Sequence, residues 1–290
     1  MSTADTADTG SAVVLDGTGL ARSIRERVAA GAAELIGVGV APRLAVVVAT
    51  DDEGAGWYVR SLSGAARRVG IACDVVELGA DADPETIRHT LLRLSGDDTV
   101  HGIILQTPLP DGVRVEDLAA DIAAEKDVDG ANPLSAGRLA AGLPAYPPAT
   151  AAAVLDLLDH HGIALAGRSA VVVGRSLVVG KPTAQLLLQR DATVSICHRH
   201  TKDLAQHTRE ADVLVVAVGR IGLVRAEHVA PGAIVVDVGT NTAPDGSLAG
   251  DVDGGVAAVA GGLTPVPGGV GPVTTALLLE HTVRSARSHG

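Results

Sequence analysis

The sequence predicts a doubly wound α/β protein in two domains. Three observations carry that expectation. Short β-branched apolar runs alternate with amphipathic stretches along nearly all of the 290 residues. Some runs, such as VVV at 171–173 and VLVVAV at 213–218, are apolar at every position, which suits parallel strands covered on both faces. A stretch at 130–150 with four prolines and several glycines separates two such series.

In chain order, strands are expected at 44–49, 72–78 and 100–105, with helices at 58–69, 84–94 and 115–124. Asp83 ahead of Pro84 marks the second of these helices, a carboxylate cap before a residue whose missing N–H is not needed in a first turn. The loop at 130–150 ends the first domain, 1–150, and an apolar helix at 151–160 opens the second, 151–272. Strands follow at 169–173, 193–196, 213–218 and 234–238, with helices at 181–189 and 203–210. A last amphipathic run, 273–288, is a helix that packs back on the first domain, to which 273–290 is assigned.

Composition excludes several classes. Thirty-four acidic residues against twenty-three Lys and Arg leave a net charge of −11, which argues against a nucleic-acid partner. With 47% apolar and 20% charged side chains, the chain is too apolar to be disordered. The uncharged stretch 254–279 is long enough to span a bilayer, but its seven glycines and three prolines read as turns, so no membrane partner is expected. Residues 1–12 are polar and acidic, a frayed tail and not a signal peptide. Cys73 and Cys197 match no zinc or redox spacing; a cytoplasmic chain with reduced thiols and no metal is expected.

The chemistry-bearing signal starts at 169–173. That strand runs into Gly174-Arg175-Ser176-Leu177-Val178-Val179-Gly180-Lys181-Pro182, after which a helix begins. A glycine-punctuated turn between strand and helix lets backbone N–H groups and the helix dipole meet a pyrophosphate. Ser176 stands where the common fingerprint has its middle glycine, so the bland alternative is a tight turn that binds nothing. An NAD site carries an acid about twenty residues on, for the ribose 2′-OH. Here the next strand ends in Ile196-Cys197-His198-Arg199-His200-Thr201, with no acid. Arg199 and Arg175 suit a 2′-phosphate through forked, charge-assisted hydrogen bonds, so NADP is expected over NAD. A solvated Arg with two surface histidines is the alternative.

Six segments then point to a family: VHGIILQTPLP at 100–110, EKDVDGANPLSAGRL at 125–139, VVVGRSLVVGKP at 171–182, ADVLVVAVGR at 211–220, GAIVVDVGTN at 232–241 and TPVPGGVGPVT at 264–274. In these the chain resembles the methylenetetrahydrofolate dehydrogenase/methenyltetrahydrofolate cyclohydrolase family over about its whole length. The resemblance implies two α/β lobes around a cleft, the first for folate and the second a Rossmann-like NADP lobe, in a homodimer. It implies catalytic roles for Tyr58, Gln106 and Asp129, with Asp129 binding the pterin, and a loop of Pro267, Gly268 and Gly269 that closes over the folate. Gly174, Arg175, Ser176, Gly180, Arg199 and Thr240 fall on cofactor-contacting positions.

The departures cluster in the folate lobe. The family's catalytic lysine follows its tyrosine by four residues, and here that position is Leu62. Thr50 and Ala55 replace a glycine and a serine of the pattern, and Pro148-Ala149-Thr150-Ala151 replaces a PCTP-like motif. Tyr58 and Leu62 share one helical face. Oxidation of the methylene group needs alignment with the nicotinamide and no obligatory proton transfer. Hydrolysis of the methenyl product needs water activated and a ring nitrogen protonated, and leucine can do neither. Arg60 points half a turn away, and an isolated tyrosine, with a reference pKa of about 10, is a poor base at neutral pH.

The leading reading is therefore an NADP-dependent methylenetetrahydrofolate dehydrogenase with weak or absent cyclohydrolase activity. A paralogue recruited to another NADP-dependent biosynthetic reaction, and a non-catalytic dinucleotide-binding homodimer, are the alternatives. His101 reads as structural at a strand start, and Asp237 as a cap for the loop beyond its strand. Trp57, next to Tyr58, is expected to report on the cleft by its fluorescence.

Overall fold

The computed structural model describes residues 11–289. The chain enters through a two-residue strand, β1 (Val13–Val14), and a long helix, α1 (Thr18–Gly37). Then come β2 (Arg43–Val48), α2 (Glu53–Arg68), β3 (Ala72–Glu77), α3 (Pro84–Ser95) and β4 (Gly102–Gln106). β2 lies between β3 and β4, all parallel. The strand period of two explains its continuous apolar run. Leu44, Val46 and Val48 enter the core shared with α1 and α2, while Ala45, Val47 and Ala49 face Ile87 and Leu91 of α3.

Between the lobes run α4 (Val115–Leu118), a 3-10 turn (Ala119–Asp121), α5 (Pro133–Ala140) and α6 (Ala149–His160). The second lobe holds β5 (Ser169–Val173), α7 (Gly180–Leu188), β6 (Thr193–Cys197), α8 (Leu204–Thr208), β7 (Val213–Val216) and β8 (Ile234–Asp237). A hairpin of β9 (Asn241–Thr242) and β10 (Leu248–Ala249) and a strand β11 (Gly262–Leu263) complete it, and α9 (Val270–His289) returns to α1 and α6. The described strands form a parallel sheet in the order β1-β11-β8-β7-β5-β6. The chain moves outward from β5 in both directions, so a crevice opens beyond the carboxyl ends of β5 and β7, where such sheets bind ligands.

The structure departs from expectation where the signal is not local. Ala12 donates to the Ala257 carbonyl at 2.8 Å, and β1 pairs in register with β11. Ala12, at the end of the expected frayed tail 1–12, is thus tied down, and β1 extends the sheet of the second lobe; residues 1–10 of that tail lie outside the described residues. α1 is not among the expected helices: half of its buried positions are small (Ala21, Gly31, Ala32), Gly17 stands at its N-cap without a side chain, and the carboxylate that accepts from Thr18 N, at 3.2 Å, is Asp16, one residue earlier. The loop expected at 130–150 contains α5, which starts from an Asn132 cap, its Oδ1 accepting from Leu134 N at 2.7 Å, followed by Pro133. The helix expected over 115–124 tightens into a 3-10 turn after Leu118.

α9 packs along α1 and α6. Val273, Ala276 and Val283 of α9 join Ile24 and Val28 of α1 in one buried cluster. Ion pairs Arg27–Glu280 and Arg287–Glu34, each 3.0 Å, flank the seam and are solvent-exposed, so packing and not charge holds it. Among the described residues no helix is long and apolar enough to cross a membrane.

Candidate active site

α2 starts at Glu53, five residues before expectation, because Asp52 caps it through Ala55 N at 2.7 Å. This places Tyr58 in the second turn, half-buried, at a cavity of about 190 Å³ between the lobes. Gln106 at the end of β4, Asp129, Thr150, Thr274 of α9 and Val178 of the glycine turn also line it. Tyr58, Gln106 and Asp129 therefore come together from separate elements. Thr150, Thr274 and Val178 were not singled out in the sequence, although each falls in a segment whose pattern was noticed.

Leu62 does not line this cavity. It is 0% exposed and packs with Val46, Val59 and Ala66. No lysine, arginine or histidine side chain is among the lining residues. The chain has three lysines, and the nearest in sequence to Asp129 is committed elsewhere. Lys126 is buried and donates to the carbonyls of Ser95 at 2.9 Å and Asp97 at 2.8 Å. The cavity thus has acidic and phenolic groups and no cation.

The two aspartates of the KDVDG segment divide their work. Asp127 is fully buried and accepts from the backbone N–H groups of Ala131 at 2.9 Å and Asn132 at 2.8 Å, shaping the turn into α5. Asp129 accepts no hydrogen bond from the described residues, and burial together with the charge of Asp127 pushes its carboxyl up to about 7. Burial, with the Asp129 charge adding to it, holds the Tyr58 phenol well above its ordinary value, so it is neutral and no base. Trp57 is 56% exposed and does not line the cavity, a correction to the expected fluorescence probe. Adjacent helical residues point about 100° apart, which turns Trp57 outward when Tyr58 faces in.

Pro267, Gly268 and Gly269 do not line the cavity. They form the turn before α9, where Gly268 has φ +113° and its carbonyl accepts from Gly17 N at 2.9 Å. His101 is buried and its Nδ1 accepts from Arg43 N at 3.2 Å.

The glycine turn after β5 is tight, and its glycines are what close it. Gly174 has φ +132°, and a Cβ there would overlap the Ala217 carbonyl oxygen. A Cβ on Gly180 would overlap the Gly174 carbonyl, so the turn folds this tightly only with bare α-carbons. Ser176 Oγ accepts from Gly180 N at 3.3 Å, and Arg175 is exposed. Arg199, after β6, is exposed with Nε donating to His200 Nε2 at 3.2 Å; Thr240 is exposed beyond β8. Gly174→Ala should lower stability by at least about 1–3 kcal/mol from backbone strain alone. Thermal unfolding measures it, and a wild-type melting temperature would contradict the described turn. Among the described residues, no three His, Cys, Asp or Glu side chains are grouped to hold a metal ion.

Comparison with known proteins agrees with this geometry. Residues 15–129 match the tetrahydrofolate dehydrogenase/cyclohydrolase catalytic domain, and 148–290 match the NAD(P)-binding domain of the same name. Bifunctional protein FolD 1 of Saccharopolyspora erythraea is 67% identical over 99% of this chain and 98% of its own length. Bifunctional protein FolD 1 of Rhodococcus jostii is 62% identical over 94% of this chain and 92% of its own. Among solved structures, the bifunctional FolD of Campylobacter jejuni superposes with TM-score 0.91 at 41% identity, over 95% of this chain and 99% of its own. FolD of Trypanosoma brucei, complexed with NADP and an inhibitor, gives 0.90 at 36% identity, over 96% of this chain and 98% of its own. The chain belongs to the tetrahydrofolate dehydrogenase/cyclohydrolase family, with its catalytic and NAD(P)-binding domains in that order.

Proposed function

We propose that this chain oxidises 5,10-methylenetetrahydrofolate to 5,10-methenyltetrahydrofolate by hydride transfer to NADP, and hydrolyses the product weakly or not at all. The observation that carries the second clause is a cavity lining without a cation, together with Leu62, which the resemblance aligns with the family lysine and which is wholly buried in the core. The relatives are named bifunctional, so the proposed defect rests on this chain's own residues.

NADP supplies the hydride acceptor. The bare turn at Gly174 and Gly180 takes its pyrophosphate, and Arg175 and Arg199 pair with the 2′-phosphate; the exposure of both arginines and the tightness of the turn support this reading. Asp129 accepts from donors of the pterin ring, and Gln106 with neutral Tyr58 orients the one-carbon unit. Hydride transfer then asks only for alignment, which these residues provide. Pro267, Gly268 and Gly269, in the turn before α9, lie outside the cavity lining, and their closing over the folate rests on the family resemblance alone. A cytoplasmic homodimer is the setting.

Hydride transfer measured with methylenetetrahydrofolate and each nicotinamide cofactor tests the reading. No reduction of either cofactor would move the assignment to a recruited reaction. Arg199→Ala is expected to weaken NADP by about tenfold to a hundredfold, the range of one charged hydrogen-bonded partner, and to leave NAD unchanged. Equal NADP affinity in the two proteins would remove the role given to Arg199.

A further inference from the structure

Asp251 has no place in the chemistry above, yet it is one of the most heavily bonded side chains in the molecule. It is 0% exposed, on the segment after β10. Its Oδ2 accepts from the backbone N–H of Val218 at 2.6 Å and Gly219 at 2.9 Å. Its Oδ1 accepts from Arg220 N at 2.7 Å and Asn241 Nδ2 at 3.0 Å. One carboxylate therefore gathers the whole turn that follows β7 and ties it to the first residue of β9.

Asp237, the last residue of β8, places that carboxylate. It accepts from the N–H groups of Gly239 at 2.9 Å, Asp251 at 3.0 Å and Val252 at 2.9 Å. The fit is close on both sides. A Cβ on Gly250 would overlap the Asp237 carboxylate, and one on Gly239 would overlap Asp251. The two acids form a relay from the end of β8 to the end of β7.

The sheet order says what that turn faces. Gly174, after β5, lies against the Ala217 carbonyl, so the turn at 218–220 borders the pyrophosphate turn directly. Arg199 follows β6, on the opposite side of β5 from β7. A dinucleotide with its 2′-phosphate at Arg199 and its pyrophosphate at Gly174 extends its other half over β7 and β8. We infer that Asp251 is a positioning residue that fixes the 218–220 turn as the bed for the nicotinamide half of the cofactor. This rests on the cofactor assignment made above.

Asp251→Asn tests it, because the new amide turns an NH₂ toward backbone donors and leaves them unpaired. NADP affinity, read by calorimetry, should fall about tenfold or more, the usual consequence of stranding buried donors. Adenosine 2′,5′-bisphosphate, which has the 2′-phosphate and no nicotinamide, should bind as it does to the wild type. Asn241→Ala removes one of the four donors and should shift NADP in the same direction by a smaller factor, which keeps the inference testable if Asp251→Asn does not fold. Parallel weakening of both ligands, or NADP affinity unchanged in both variants, overturns it. A wild-type protein that binds neither ligand removes the cofactor assignment and this inference with it, and that failure appears before any substitution is made.

Discussion

Purified protein supplied with methylenetetrahydrofolate and NADP is expected to release the methenyl product largely unhydrolysed. Assistance by a positioned acid or base is worth about 10²–10⁴-fold; the cavity lining holds no cation, and its near-neutral carboxyl, Asp129, is taken by the pterin in the proposed complex. Tyr58 stays neutral, and Lys126 is occupied by two carbonyls. Leu62→Lys should raise hydrolysis more than hydride transfer. It should also destabilise the fold, since burying the wild-type leucine contributes about 1.5–3 kcal/mol and an ammonium there meets Val46 and Val59. The same apolar contact lowers the pKa of a lysine so placed, which favours proton exchange near neutral pH. Decay of the methenyl absorbance, corrected for spontaneous hydrolysis, gives the rate. Wild-type hydrolysis as fast as its own hydride transfer would mean that another group replaces the lysine.

Folate affinity should depend on Asp129 and on pH together. Asp129→Ala is expected to weaken tetrahydrofolate by about 30-fold or more, as truncating one partner of a buried charged hydrogen bond does. In the free protein this carboxyl titrates at about 7, raised by burial and by Asp127. Pterin donors favour the ionised form, so bound Asp129 must lie lower than free Asp129. Binding is then strongest above pH 7 and weakens by up to about tenfold per unit as the solution is acidified below it. Calorimetry at pH 6 and pH 8 gives both the affinity and the proton released. Affinity that is flat across this interval in the wild type would contradict the assignment of Asp129 to the pterin.

Much of the architecture was legible because its strands are Val- and Ala-rich runs with both faces buried, as at β2, β5 and β7. What escaped is what only the folded chain defines. Val13 and Val14 become a strand by meeting Gly262 and Leu263, a pairing no local pattern announces. The start of α1 has Gly17 at the N-cap and no proline in its first turn, unlike α3 at Asp83 and Pro84. In the site, Tyr58, Gln106 and Asp129 were readable as motif positions, and the cavity brings them together. Asp251 was not, since its four donors lie about ten and thirty residues away in the chain. Trp57 was misread because adjacency in sequence is not adjacency on a helix.

The seam of α9 against α1 bears on how the chain is made. The strands of the first lobe are all synthesised by Gln106, but one wall of its core is supplied by residues 270–289. While those residues are still being added, α1 presents Ile24 and Val28 to solvent or to whatever shields nascent chains. The strand at Val13–Val14 likewise waits for Gly262 and Leu263. Each lobe holds a piece of the other, with α9 covering the first and β1 extending the sheet of the second, so a cut at residue 150 parts both pieces from the lobes they complete.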